Sequence, residues 1–549
     1  MCLTHINFSL ETGVSTQFQI MNSFKIISFC LTAYLMLAGN AFAFEHEESD
    51  VHFHVYNKNI VEENRKEQKP FFLLFAAEWC HWCHIFADKT LTNKKVYSYL
   101  NNNFVNIFID ADIHSDAYQK YKANGVPYTV FLNPDTSIYY QYSGALYAEP
   151  FLEVIQDVSQ NIKKGLTVDG DEILPFEYFP PIKFHEYTLD KLRSTYIKGV
   201  LDNFDTEEYG LGKREKSILP ETFLYMLNAA KGEDRQDTVL LISGTLLKAI
   251  EKIYDPVEGG FFRFAEKKDW NIPHYEKMAG LNAGIVLLLY KMNQEMPDPK
   301  FKKVAQQTID YMNNTLFDEE TGSFLSFQQA DTSYYNLNVY WRKNVDQPLV
   351  IKKIFTDHLA VTLNYLLDVL NYTKNKNLKN KVIRSLDFLS GMILKNKEIF
   401  HYYSIPEKQW SGKSGLQDHV LLVKLLQRAA AKFKHERYQN AALKIIHFSR
   451  SKYYNEQKQI FVDPELDAKD YEYLMAMNGD IALGLMEQGN KSAEQKYNSV
   501  KPLIRYFSGL EELLEDKFWD GKDWKFLERS ALFLSAADKF LDSKYNPRN

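Results

Sequence analysis

The residues best equipped for covalent chemistry are Cys80 and Cys83, set two apart in Ala77-Glu78-Trp79-Cys80-His81-Trp82-Cys83-His84. The apolar run 71–75 ahead of them reads as a buried strand, and the motif opens a helical segment. At such a junction the unpaired N–H groups of the helix start stabilise a thiolate on Cys80, and one turn brings Cys83 within bonding distance. Cys80 is then the attacking thiolate and Cys83 the resolving one. His81 beside a thiolate would lower its pKa and make the pair more oxidising; the plainer alternative is a solvent-exposed ring with little effect. Trp79 and Trp82 make either an apolar apron for partners or a cover over the helix start. Cys-x-x-Cys is also half a zinc site, but no second cysteine pair follows and only His81 and His84 could complete it, so no metal is expected. The pair needs no bound cofactor, only a protein disulfide or dithiol to exchange with.

The chain of 549 residues has four cysteines, at 2, 30, 80 and 83. Lys25, the apolar segment 26–37 and the small residues up to Ala43 form a secretory signal over 1–43, with Met21 as a candidate true start. The alternative, an uncleaved anchor, meets an apolar run short for a full span, and no later stretch is apolar enough to cross a membrane. Cleavage after Ala43 would leave only Cys80 and Cys83, in a periplasmic or secreted protein, where a dithiol pair meets disulfides. The net charge of −6 gives no sign of nucleic-acid binding. The 15% aromatic content suits either a large core or a groove lined with rings.

Stepping along 51–165, a polar helix-prone segment (57–69) ends at Pro70, and the strand and cysteine motif follow. Then come a helix to 88, helical 94–102, a strand over 104–109 and a polar helix near 115–123. Val126-Pro127 leads into an apolar run to Leu132, followed by a turn at 133–135, a strand at 138–142 and a helix over 149–163. This order resembles the thioredoxin superfamily, whose cis-proline Pro127 matches; the resemblance implies that Pro127 lies beside the pair and shapes the partner groove. Thioredoxins that reduce disulfides carry a buried Asp six residues before the first cysteine, and here Leu74 stands there.

Trp79-Cys-His-Trp-Cys-His84 is narrower, and resembles the family of spermatogenesis-associated protein 20 and its bacterial relatives. Matching islands continue in order: Lys69-Pro70-Phe71, 125–135, Tyr178-Phe179-Pro180, Ile253-Tyr254-Asp255 with Gly259-Gly260-Phe261, Trp270-Asn-Ile-Pro-His274-Tyr275-Glu276-Lys277-Met278, Thr356-Asp357 and Gln417-Asp418-His419. Gly280-Leu281-Asn282 and His358-Leu359 depart from the family pattern. The resemblance implies an α/β thioredoxin-like domain followed by an all-α (α/α)6 toroid of the six-hairpin glycosidase-like kind.

The pattern itself agrees: 166–189 reads as a linker, and 190–549 is helical almost throughout. Val239, Ile242, Leu246, Ile250 and Ile253 share one face, and the same period recurs at 283–290, 359–370, 378–392, 416–426, 441–448 and 481–486. Short aromatic patches at 259–264, 322–327 and 399–403 separate the hairpins. Asp255, Glu276, Asp331, Asp357 and Asp418 fall near hairpin ends, where two could flank a glycosidic bond or merely cap helices. Trp270, His274 and Glu276 form the best candidate cleft wall, with a carbohydrate or other small ligand as its partner; the plainer reading of His274 is structural. The favoured function is an exported thiol–disulfide oxidoreductase whose toroid binds or presents a substrate. Its rival is a carbohydrate-active or glycan-binding protein with the first domain as scaffold, which convergent acids, stacked rings and a buried Cys80 would favour. An assembly factor using both domains as interaction surfaces is a third reading.

Overall fold

The computed structural model describes residues 50–57, 59–60, 66, 68–121, 123, 125–166, 186–456, 460–463, 477–478 and 524–541. The signal segment 1–43, about half of the predicted helix 57–69, most of the linker and the helix 481–486 lie outside the described residues.

The first domain is built on one sheet. Strands β1 (Phe53–Val55), β2 (Phe71–Ala76), β3 (Val105–Asp110), β4 (Tyr128–Leu132) and β5 (Ile138–Ser143) lie in the order β1-β3-β2-β4-β5. β3 runs parallel to β1 and β2, while β4 runs antiparallel to β2 and β5. Every residue of β2 is buried, as a strand covered on both faces must be. Phe72 and Leu74 face one layer with Phe86, Leu100 and Phe151, and Phe71, Leu73 and Phe75 face the other with Ile107, Tyr121 and Val130. Helix α1 (His81–Phe86) continues as a π-turn (Ala87–Leu91), followed by α2 (Lys94–Asn103), α3 (Ser115–Lys120) and α4 (Ala148–Lys163). This is the thioredoxin-like order expected from the sequence, with β1 added at the edge.

The second domain is a helical toroid. Helices α5 (Glu186–Asp202), α6 (Pro220–Ala229), α7 (Gly232–Lys252), α8 (Ala279–Glu295), α9 (Pro299–Thr315), α10 (Thr356–Val369), α11 (Lys376–Lys395), α12 (Leu416–Phe433), α13 (Glu436–Tyr453) and α14 (Trp524–Leu541) alternate between an inner and an outer layer. α6, α8, α10 and α12 pack in succession and are apolar on most sides, as inner helices must be. α9 and α11 bury one stripe only. α14 returns to α6: the Glu528 carboxylate accepts from Glu221 N at 3.1 Å and Thr222 N at 3.0 Å, satisfying N–H groups that the start of α6 leaves free.

Short strands stand before the inner helices, at the end of the toroid that meets the first domain. They are β6 (Phe264–Ala265), β7 (Pro273–His274), β8 (Lys277–Met278), β9 (Phe327–Gln328), β10 (Lys353–Phe355), β11 (Phe400–Ser404) and β12 (Gln409–Lys413). They pair as β6–β7, β8–β9 and β10–β11–β12, so Phe264, Phe327 and residues 400–403 of the aromatic patches lie in strands of the toroid mouth. None of the described helices is long and apolar enough to cross a membrane.

Candidate functional site

Cys80 caps the start of α1. Its sulfur accepts from Cys83 N at 3.1 Å and is bonded to the Cys83 sulfur, with Cα atoms 5.3 Å apart. The end of β2 and the start of β4 fix this place: Phe75 pairs with Tyr128, so the Val126–Pro127 bond, which is cis, lies beside the motif. Cys80 Sγ is 3.4 Å from the Val126 carbonyl oxygen. Cys80, Cys83, Trp79, His81, Trp82 and Pro127 therefore form one locus.

That locus faces the toroid mouth. Cys80 is 2% and Cys83 3% exposed, in an apolar cluster that joins Ala76, Ala77 and Trp79 to Phe327, Ile351 and Phe355. The ring of Trp79 lies 5.5 Å from that of Phe327 and beneath the Arg263 guanidinium at 4.9 Å, and its Nε1 donates to Asp112 Oδ2 at 2.7 Å. Trp79 is thus an internal joint rather than an apron for partners. Polar contacts seal the rim: Gln329 Nε2 donates to Glu78 O at 3.0 Å and Lys353 Nζ to Glu78 Oε2 at 3.1 Å. His401 Nε2 donates to Asp112 O at 2.7 Å. Trp82 and His81 are half-buried, with the Trp82 ring 6.5 Å from that of His274.

The toroid candidates divide. Glu276 reaches the motif: Oε1 accepts from His81 N at 3.4 Å, and the side chain is buried. His274 stands behind it, stacked on Phe264 at 3.9 Å with Nε2 2.9 Å from Glu266 Oε1. Asp357, His401 and Asp418 also converge below the first domain, with one ligand atom of each within 4.8 Å of the others. His401 already uses both ring nitrogens, however, with Nδ1 on Asp418 at 2.9 Å and Nε2 on Asp112 O. That arrangement makes the ring a buried cation rather than a metal ligand. Asp357 accepts from His358 N, and Asp418 accepts from Gly415 N at the start of α12, so both also serve as helix-start acceptors. Asp331 does the same for Tyr334 N.

Asp255 and Trp270 belong elsewhere. Asp255 is fully buried between Lys277 Nζ at 2.7 Å and Arg342 Nη1 at 2.8–2.9 Å. Trp270 is in the core, with Nε1 donating to Glu208 O at 2.9 Å and Tyr209 O at 3.2 Å. Its expected place on a cleft wall is corrected: the apolar ring is worth more inside, provided its N–H finds an acceptor. Asp112, Phe327, Lys353 and His401 are functional neighbours that the sequence pattern does not single out. Phe327 and His401 lie in the aromatic patches 322–327 and 399–403, and Asp112 follows β3 at the same sheet end as the cysteines.

Residues 33–173 match a thioredoxin-like family (Thioredox_DsbH) described as "Protein of unknown function, DUF255". Spermatogenesis-associated protein 20 of Rattus norvegicus is 24% identical over 323 residues, 52% of this chain and 40% of that protein. A protein disulfide-isomerase of Schizosaccharomyces pombe is 25% identical over 268 residues, 48% of this chain and 69% of that protein. The chain thus spans less than half the length of the mammalian relatives it matches. Among solved structures, a D-mannose isomerase superposes with a TM-score of 0.48 at 10% identity, covering 66% of this chain and all of that one. A cellobiose 2-epimerase from Bacillus thermoamylovorans gives 0.48 at 10% identity, covering 64% of this chain and 100% of that one. Residues 33–173 match this family's model, and the described part of that stretch is a thioredoxin-like domain joined in one chain to a helical toroid, the two-domain organisation expected from the resemblance to spermatogenesis-associated protein 20.

Proposed function

We propose that this chain is an exported thiol–disulfide oxidoreductase whose toroid binds or presents the substrate to the Cys80–Cys83 pair. The observation that carries the reading is the pair itself, bonded at the start of α1 beside the Val126 carbonyl. From the disulfide form, one thiolate of a partner dithiol attacks Cys80 Sγ. The Cys80–Cys83 bond breaks, a mixed disulfide forms, and Cys83 leaves as a thiolate that takes up a proton. The second partner thiol, giving up its proton, attacks its own mixed-disulfide sulfur and releases Cys80. Two electrons and two protons pass from the partner to the pair, and the reverse sequence oxidises the pair. Because Phe327, Ile351 and Phe355 pack over the pair, a protein partner reaches Cys80 only when the joint between the domains opens.

The test is titration of the full chain against glutathione redox buffers, followed by tryptophan fluorescence and thiol trapping, with Cys80→Ala/Cys83→Ala as control. A reversible two-electron transition absent from the control is expected. Thiols that stay unreactive in the folded chain would overturn the reading.

A second reading, a carbohydrate-active or glycan-binding protein with the first domain as scaffold, draws on the burial of Cys80 and on the convergence of Asp357 and Asp418. It also draws on a cavity of about 320 Å³ among α6, α8, α10, α12 and α14. Saturable oligosaccharide binding, unchanged by the double cysteine substitution, is the result that would favour it.

A further inference from the structure

Among the described residues, Asp110 and Asp112, the acids after β3 at the sheet end of the motif, are engaged away from the cysteines. Leu74 is in the apolar layer with Phe72. Asp110 Oδ1 is occupied by the N–H groups of Asp112 and Ile113 at 3.0 Å, and Asp112 by the Trp79 indole. The carboxylate at the start of α1 comes from the toroid. Glu276 is 2% exposed, and its Oε1 takes the His81 N–H, the next main-chain donor after Cys80. Among the described residues its Oε2 is buried without a hydrogen-bond partner, and His274 Nδ1 lies 3.9 Å away.

A thiolate on Cys80, whose sulfur takes the Cys83 N–H, would sit at the same helix start where Glu276 takes the His81 N–H. Two anions at one buried helix end repel, so one of them takes a proton. We propose that Glu276 is a positioning residue for the redox pair, holding one proton jointly with Cys80 when the pair is reduced. This rests on the oxidoreductase reading and adds to it that the toroid completes the redox centre. In the disulfide form the Glu276 carboxylate is the one negative charge of this pair of groups. Reduction brings two electrons and two protons: one proton goes to Cys83, and the other is shared between Cys80 Sγ and Glu276. The pair therefore keeps one negative charge before and after.

Without the carboxylate, Cys80 ionises alone, and above the pH of that ionisation reduction takes up one proton rather than two. The other charged or titratable groups near the locus are His274 with Glu266 behind it, His81, Arg263 over Trp79, Asp112, and Lys353 with Glu78 and Asp110. All of these remain in the substitution that follows.

The experiment measures the glutathione equilibrium constant of the full chain and of Glu276→Gln from pH 6 to 8.5, together with the pH profile of Cys80 alkylation. Glutathione gives up two protons with its two electrons, so the parent's constant should stay level across the range while the pair takes up two. Glu276→Gln, taking up one, should rise about tenfold per unit in the upper part of the range, with its alkylation profile moved to lower pH. Glu276→Asp should restore part of the parent's level behaviour. A parent that titrates while Glu276→Gln follows the same slope and profile overturns this inference alone. A parent with no transition overturns the oxidoreductase reading and this with it. Should Glu276→Gln not fold, the parent's own alkylation profile decides: two coupled steps support the shared proton, and a single step overturns it.

Discussion

His401 reaches across the domain joint to Asp112, its Nε2 donating to the main-chain carbonyl oxygen at 2.7 Å while Nδ1 donates to Asp418 at 2.9 Å. Burial works against a charge there, but Asp418 outweighs it and pushes the pKa up to about 10. The unfolded ring titrates near 6.5, so the folded chain binds more protons between those values. The stabilisation is complete below about pH 6.5 and is lost as pH rises through about 10. Thermal unfolding should therefore move to lower temperature between neutral and strongly alkaline pH. His401→Gln should flatten that trend and cost about 3 kcal/mol near neutrality, because it leaves Asp418 buried without its cation. A variant that keeps the parental slope would show that this ring does not set it.

Asp112 supplies a second term of the same sign. Burial, with the charge of Asp110 next, raises its carboxyl to about 8, against the lowering effect of the Trp79 indole N–H. For an acid whose folded value is raised, stability is greatest below the unfolded value near 3.9 and falls as pH climbs through the folded one. Asp112→Asn keeps an acceptor for Trp79 and carries no charge. It should match the parent at pH 5 and exceed it above pH 8 by on the order of 2 kcal/mol, read from denaturant midpoints at the two pH values. Equal midpoints at pH 9 would count against an ionising Asp112.

The cover over the disulfide gives a kinetic expectation. Phe327 is buried against Trp79, 5.5 Å away between ring centres, and belongs to the cluster that encloses Cys80. Phe327→Ala removes that wall at a cost of about 3–5 kcal/mol. Each 1.4 kcal/mol taken from the closed joint should speed reduction by dithiothreitol about tenfold if opening precedes exchange. Stopped-flow tryptophan fluorescence would follow it. An unchanged rate would mean that thiols reach the pair by a path that avoids this face.

The first domain was legible because β2, β3 and β4 are runs of buried residues, and because Pro127 and the cysteines mark the sheet end where chemistry sits. β1 escaped notice, since Phe53–Val55 is three residues long and mostly exposed. The toroid helices were legible by period, but their use was not. Trp270 sits four residues before His274 in sequence, yet its indole turns into the core while the His274 ring turns towards Trp82. His401 lies in a strand whose neighbours are aromatic, and only the docking of Asp112 onto that strand gives it a role. Contacts between residues 289 positions apart leave no local signal.

Asp255 makes the last case, because sequence reading gave it a place in a cleft and the fold gives it two cations. Burial opposes its charge, but Lys277 and Arg342 outweigh burial and hold its carboxyl below the usual range. A depressed acid stabilises the fold above the unfolded value near 3.9, and the stabilisation is lost as pH falls through the folded value. Asp255→Asn strands Lys277 and Arg342 in the interior and should cost about 3–5 kcal/mol at neutral pH. It should also weaken the loss of stability below pH 4. Because Asp255 does not touch the cysteines, the midpoint of the Cys80–Cys83 couple should not move in material that remains folded. Unchanged stability with lost oligosaccharide binding would instead return Asp255 to a ligand site.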